Sequence, residues 1–548
     1  LPCIDAIPRE EGIFGKNGVF GELPIAQIAL FFSNAICQLA RVRARRWPMH
    51  EIEADVVVVG AGLAGLAASL AAREAGALVV VLECAPEEER GGNTRFSNGA
   101  MRAVYDGVAD IEQLVGEIGP EERARTDFGA YSREQYFDDM ARVTQYRADL
   151  ALTDLLVDRS RETMQWLHKQ GVKFMPLYAW QFRSSDGFIR FAGGSAVETY
   201  DGGEGLSGAL FAAVERAGIR VHYRTRATAL IERSGCVVGV RTRCGRDSVA
   251  IFGRSVVLAT GGFEANAEWR ARYLGPGFEL AKVRGSRFNT GEGLRMALAA
   301  GAMPHGNWSG CHSASWDLNA PDVNELAYGT VFKRDDYFYG IMVNTRGERF
   351  VDEGSDVRAV TYAKLGRVIL AQPGQIAWQV FDGKVAHLLH EEYRHRRSAR
   401  LRAETLEGLA AKMEGIDTAG FLRTVAAFNT AVRRDIPFDP SGEKDGRCTA
   451  GLPIPKSNWA ETIDTPPFEA YGVTCGITFT FGGVRVAENC AVIDVDRESI
   501  PGLFAAGAMV GGLFYFNYPG GARRVYPARI VDRRSALVCY TGARPHRA

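Results

Sequence analysis

Three glycines spaced as Gly-x-Gly-x-x-Gly close the run Asp55-Val56-Val57-Val58-Val59-Gly60-Ala61-Gly62-Leu63-Ala64-Gly65. Such a spacing can grip a pyrophosphate. Gly60 makes a tight turn, Gly62 lets the backbone approach the phosphates, and Gly65 lets the following helix pack on the strand. That helix offers free N–H groups and its positive dipole end to the anion, with Leu63 and Ala64 in the same cradle. Glu83 stands 18 residues beyond Gly65, at the end of Leu78-Val79-Val80-Val81-Leu82. An acid there accepts hydrogen bonds from ribose hydroxyls and disfavours a 2′-phosphate. Gly91, Gly92, Asn93 and Thr94 form a loop suited to wrapping a cofactor. Thr260-Gly261-Gly262, and then Thr290 and Gly293 at a second glycine-rich helix start, are further contact candidates.

The elements that must position these residues are legible around them. Four consecutive valines predict a buried parallel strand, Leu66 to Ala75 predicts a helix, and Leu78–Leu82 predicts a second strand. The wider chain of 548 residues is 46% hydrophobic and 24% charged, an ordinary globular composition. Lys+Arg and Asp+Glu both number 65. With no global basic field, nothing points to nucleic acid. The 10 cysteines are scattered, without CxxC pairs or zinc spacing, so no metal site is expected and a reduced, cytosolic compartment is the default. Cys236 and Cys244 flank an expected hairpin and could touch, but they are read as ordinary buried thiols.

Residues 1–48 read as an extension outside the core. Their apolar stretch Leu23–Ala40 precedes Arg41, Arg43, Arg45 and Arg46, the reverse of a secretory signal, and an interfacial helix is the alternative. Residues 107–170 predict helices. Arg220–Tyr223, Thr228–Ile231, Val237–Val240, Val249–Ile251 and Ser255–Ala259 predict strands, and 294–300 another helix. Aromatic crowding from Trp308 to Tyr339 predicts a domain switch near residue 310. Residues 361–435 read as helical, with Arg394, His395, Arg396, Arg397 and Arg400 as a solvated face. The proline-rich segment 436–467 reads as an extended crossing, and 471–483 and 500–521 return to strand and loop.

In order, the motifs GAGLAGLAAS, Glu83, RGGNT, ATGGFEAN, NTGEG, RFVDE and PGLFAAGAMVGG resemble the flavoprotein subunits of the fumarate reductase and succinate dehydrogenase family, over about residues 54–522. The stretches GCHSASWD, RGERFVDEGSDVRAVTYAKLG, CGITFTFGG and GGLFYFNYPGG are similar to its FAD-dependent tricarballylate-oxidising members. The resemblance implies an α/β architecture. A doubly wound, Rossmann-like FAD-binding domain would be formed by 49–310 and 470–522, with an inserted α+β capping domain at 311–469 and an atypical tail at 523–548. It adds Ala227, Gly507 and Gly520 to the cofactor contacts. It implies oxidation of tricarballylate to cis-aconitate, with hydride passing to flavin N5 and a proton to a base near Arg358. His312 matches the family histidine at the start of the cap.

Because an arginine is a weak base, Asp352, Glu353 or Asp356 would serve as its relay. Tyr518 or Tyr362 is the competing base, and a plain Arg358–Asp356 ion pair the bland reading of Arg358. Two departures stand out. Phe479 replaces a family histidine, and Tyr518 replaces a family arginine. Losing two carboxylate binders argues against plain fumarate reduction, and the Tyr-Pro-Gly-Gly run is similar to the 3-ketosteroid dehydrogenases. The alternatives are another flavin dehydrogenase of the family, of fumarate/succinate or 3-ketosteroid type, or a non-catalytic relative. The resemblance further implies a small tricarboxylate substrate and a membrane-bound iron–sulfur electron acceptor. That acceptor would hold a cytoplasmic chain at the inner membrane. After Gly521 the chain reads Ala522-Arg523-Arg524-Val525-Tyr526-Pro527 where relatives carry small residues, which reads as divergence or a shifted frame.

Overall fold

The computed structural model describes residues 52–522, apart from 185, 192 and 442. The stretch Leu23–Ala40 and the tail 523–548 lie outside the described residues. Among the described residues no helix is long and apolar enough to cross a membrane.

The valine run forms β1 (Ile52–Val59), in which Val57 and Val58 are fully buried. The glycine turn leads into α1 (Leu63–Glu74), whose buried face is almost all alanine and leucine and so lies close on the sheet. Then come β2 (Val79–Leu82), the single-turn α2 (Gly92–Arg95), α3 (Gly202–Arg216) and β3 (Arg220–His222). Helices at Val108–Val115, Arg133–Val143, Leu150–Asp158 and Ser160–Lys169 fill most of the interval expected to be helical. Strands β4 (Arg226–Arg233), β5 (Cys236–Cys244) and β6 (Asp247–Leu258) follow. The two strands expected at 249–251 and 255–259 are thus one. Its first half pairs antiparallel with β5 and its second half parallel with β1, so the ladder never breaks. Cys236 and Cys244 are both free and end the same extended strand, about 26 Å apart at a strand's rise, so they cannot touch.

The second half adds α4 (Glu292–Ala299), β7 (Cys311–Asp317), β8 (Ile341–Val343), α5 (Arg358–Leu370), β9 (Ala377–Phe381), β10 (Arg400–Ala403), α6 (Thr418–Ala431), β11 (Phe468–Thr480), β12 (Ala491–Ile493) and β13 (Ser499–Ala505). The first sheet runs β12-β13-β6-β1-β2-β3, with β5 and β4 added beside β6. Its centre is parallel, as doubly wound sheets are. The second sheet is built on β11, which pairs antiparallel with β7, β9 and β10, while β9 carries β8. The two-residue strand Lys282–Val283 joins β11 in parallel, so this sheet reaches across the boundaries expected at 310 and 469.

The interval 361–435 is not uniformly helical. Ala377-Trp378-Gln379-Val380-Phe381 is a strand buried on both faces, so it carries no alternation to betray it. The basic patch is not simply solvated either. Arg394 and Arg400 both clamp the buried carboxylate of Glu469, and Arg397 lies 4.9 Å over the Tyr328 ring.

Candidate active site

A cavity of about 430 Å³ runs from the glycine turn to a chamber walled by α5, β7 and β11. At one end, Gly60 takes φ +104°, and a Cβ on Gly65 would stand 1.9 Å from the Gly60 carbonyl oxygen. Those two glycines make the turn. Gly62 differs: its φ is −77°, and a Cβ there would meet nothing closer than 3.7 Å. Its bareness opens space to the cavity. The first turn of α1 has no side-chain cap and no acidic residue, leaving it suited to an anion. The Leu63 N–H donates to Thr94 Oγ1 (2.9 Å), tying α2 to that turn. Glu83 is buried at the end of β2, and its carboxylate accepts from the N–H groups of Ala61 and Ala85, both at 2.8 Å.

Gly60, Gly62, Leu63, Ala64, Glu83, Gly92, Asn93, Thr94, Ala227, Thr260, Gly261 and Gly507 line the cavity. Gly65, Gly91, Gly262, Thr290, Gly293 and Gly520 do not; they make the packing behind it. A Cβ on Gly91 would meet Ser207 Oγ at 2.4 Å, one on Gly293 would meet Thr260 Oγ1 at 2.0 Å, and one on Gly262 would meet Thr480 Oγ1 at 2.3 Å. The Thr290 side chain turns to Glu292 and its carbonyl accepts from Asn266.

At the other end, Arg358 is the first residue of α5 and Tyr362 follows four residues on, so both face the chamber. A cation at a helix N-terminus opposes the dipole. Asp336 compensates, accepting from Arg358 Nη1 at 3.3 Å. Asp336 also takes the His390 backbone N–H and bonds His390 Nδ1, both at 2.7 Å. Burial alone would raise the Asp336 carboxyl. The His390 hydrogen bonds and the charges of His390 and Arg358 outweigh burial and hold it below the usual range.

Tyr518 sits on a loop pinned to the first turn of α5. Asn517 donates to the Val360 carbonyl (2.6 Å), the Gly520 N–H donates to that of Ala359 (3.0 Å), and Arg102 and Ser195 both bond the Gly520 carbonyl at 2.9 Å. The hydroxyls of Tyr362 and Tyr518 meet at 2.7 Å. Burial, then Tyr518, pushes the Tyr362 hydroxyl well above its ordinary value, so it stays protonated. His312 lies among Tyr362, Phe479 and Tyr518, with ring centroids at 5.1, 5.3 and 4.9 Å. Its ring is driven well below its ordinary value by burial and then by Arg284, so it is neutral, and both ring nitrogens lack a partner.

Of the five expected catalytic residues, Arg358, His312, Tyr518 and Tyr362 meet in this chamber and Glu353 does not. Its buried carboxylate holds Arg349 and accepts from the Met342 N–H at 2.7 Å. The other relay candidates are also engaged elsewhere. Asp352 accepts from the Ser457 N–H, and Asp356 pairs with Arg142 and Lys444 rather than with Arg358. Sequence reasoning missed Arg284, Lys333, Asp335, Asp336 and His390. Nothing near them in the chain marks them, and only the fold brings them here.

Behind the cavity, Glu264 is fully buried, with Oε1 accepting from Asn93 (2.7 Å) and Asn289 (2.6 Å). Burial pushes its carboxyl up to about 7, against 4.5 when free. The native state therefore binds a proton between those values that the unfolded chain has released, and this group's contribution to stability falls as pH rises through that window. Glu264→Gln removes the slope. Relative to the variant, the wild type loses on the order of 3 kcal/mol between pH 4.5 and 7. Urea midpoints of both proteins at pH 5 and pH 8 check this.

The family described as FAD binding domain matches residues 55–525. The chain belongs to this family. It is an FAD-dependent oxidoreductase, and the cradle around Gly62 and Glu83 fits the cofactor's adenosine diphosphate part. Over 474 residues it is 30% identical to a probable fumarate reductase of Shewanella frigidimarina, covering 85% of this chain and 71% of that one. The open conformation of a flavocytochrome c3 fumarate reductase is similar in structure, with TM-score 0.67, 26% identity, and 95% of this chain and 82% of that one covered. A 3-ketosteroid delta1-dehydrogenase from Sterolibacterium denitrificans shares the fold at TM-score 0.68 and 19% identity, covering 90% of this chain and all of that one.

Proposed function

We propose that this flavoprotein oxidises a CH–CH bond of a small polycarboxylate, and specifically that it converts tricarballylate to cis-aconitate. The observation that carries this reading is the continuity of one cavity from the Gly60–Gly62 turn to a chamber where Arg284, Lys333 and Arg358 all reach the wall. Forming the double bond removes a hydride from one carbon and a proton from its neighbour. When bound, FAD supplies the hydride acceptor.

In this reading Arg358 holds a substrate carboxylate and faces the carbon that loses its proton. Arg358 hands one of its own protons to Asp336 and on to His390 as it takes up the substrate's, so its charge is unchanged, and His390 reaches the cavity wall and solvent. The Tyr362–Tyr518 pair, kept protonated, donates to a second carboxylate oxygen. His312, kept neutral, offers a hydrogen bond without a competing charge. Segment 311–469 acts as the cap over the FAD-binding part formed by 49–310 and 470–522. The electrons pass to a separate carrier of the membrane-bound iron–sulfur kind.

Neutral 3-ketosteroids would leave the chamber's basic side chains facing apolar surface, so the polycarboxylate reading is favoured. Incubating the purified, FAD-loaded protein with tricarballylate and an electron-accepting dye yields cis-aconitate, detected by chromatography. Desaturation of a 3-ketosteroid instead, or of fumarate-pathway dicarboxylates alone, would displace the assignment.

A further inference from the structure

We propose that Arg284 forms a second carboxylate-binding site in this chamber, on the wall opposite in origin to Arg358, and that it selects substrates with more than one carboxylate. The inference rests on the polycarboxylate reading above and names the residue that enforces it.

Arg284 follows the short strand Lys282–Val283, and its backbone N–H donates to the Ile477 carbonyl of β11 at 2.8 Å. Its guanidinium lies 4.6 Å over the Trp316 ring of β7. A glycine makes this stacking possible. A Cβ on Gly476 would stand 2.7 Å from Arg284 Cδ and 2.6 Å from Trp316 Cβ. The stem is therefore fixed in a notch between two strands, and the charged head reaches the cavity wall.

Apart from the Trp316 face, the head has no hydrogen-bond partner there. Arg284 Nε and Nη1 are both buried without a hydrogen bond, and among the described residues no other arginine has a buried nitrogen left so. The other buried arginines nearby are all satisfied: Arg334 by Asp317, Arg358 by Asp336, and Arg270 by three backbone carbonyls. A desolvated guanidinium N–H is a liability unless a ligand brings an acceptor. An anionic oxygen is the acceptor that suits it, since hydrogen bonds between ionised groups are the strong ones. His312, whose two ring nitrogens are also unpartnered, lies close enough to feel the Arg284 charge. Both residues line the cavity, and in this proposal one bound carboxylate accepts from both.

The test is calorimetric binding to the FAD-loaded protein, with tricarballylate, citrate, succinate and butyrate as probes. Arg284→Met keeps the apolar stem on Trp316 and removes the charge; Arg284→Lys keeps a charge. Arg284→Met weakens binding of the polycarboxylates about 30-fold or more while changing butyrate less than about threefold, and Arg284→Lys recovers part of the loss. Equal weakening for all four probes, or none for the polycarboxylates, overturns the proposal. So does a wild type that binds none of them. If the wild type binds citrate or succinate in an Arg284-dependent way but not tricarballylate, the site stands and the tricarballylate assignment falls. If tricarballylate is turned over and Arg284→Met binds it unchanged, the assignment stands and the site falls.

Discussion

Arg358→Met lowers tricarballylate-dependent turnover by about 10³-fold or more while the protein keeps its full FAD content. The expected loss combines a charge that orients a carboxylate with the group through which the proton leaves, each worth about 10² or more. Methionine has a similar length and needs no partner. Asp336 keeps its two bonds from His390 after the change, so the chamber stays filled. FAD content is spared because Arg358 comes from the start of α5, whereas the cradle comes from β1, α1 and β2. Glu353→Gln is the matched control. It breaks the buried ion pair with Arg349, so stability falls by about 3 kcal/mol while turnover per bound flavin is retained. Dye-coupled kcat, flavin absorbance and urea midpoints separate the two. A Glu353 variant that folds normally and loses turnover would return that residue to the mechanism.

Gly65→Ala and Gly62→Ala both yield colourless protein, for different reasons. At Gly65 the new Cβ would fall 1.9 Å from a backbone oxygen of Gly60, which cannot rotate away as a side chain could. The turn must open, and the expected cost is several kcal/mol, at the exceptional end for single substitutions. The thermal midpoint of the FAD-free protein falls accordingly. At Gly62 the backbone is ordinary and the new methyl group has room, so the FAD-free protein keeps its midpoint within a few degrees. The methyl group instead occupies the space through which the backbone meets the pyrophosphate. FAD affinity is expected to drop by about 100-fold or more, roughly 3 kcal/mol. Scanning calorimetry of the FAD-free proteins and FAD titration read the two effects independently. Equal midpoints for both variants would mean that Gly65 is not a packing residue of the turn.

The first half of the cradle was legible because its signals are local. Four valines, three glycines, an alanine-rich helix and Glu83 fall within one βαβ unit, and each is demanded by a neighbour a few residues away. The glycines behind the cavity were recognised as special but assigned to ligand contact. Gly262 and Gly293 instead admit Thr480 and Thr260, which no local pattern could show.

The chamber was legible only where the family motifs named its residues. The relay was sought among Asp352, Glu353 and Asp356 because they are near Arg358 in the chain, and each is held by a different partner. Asp336 and His390, brought in from separate turns, are the groups that contact Arg358 instead. Arg284 stands between a valine and a glycine with no periodicity to mark it. Its setting is created by Trp316 and Gly476 on strands far along the chain. The strand β9 was hidden for a related reason: buried on both faces, it shows neither the alternation of a half-exposed strand nor the spacing of a helix.

The most direct measurement is anaerobic mixing of the FAD-loaded protein with tricarballylate, followed at about 450 nm, where an oxidised flavin absorbs. The proposed reaction predicts bleaching of the flavin band by tricarballylate and its absence with the Arg358→Met protein. A flavin band that tricarballylate, citrate and succinate all leave unchanged in the wild type would contradict it.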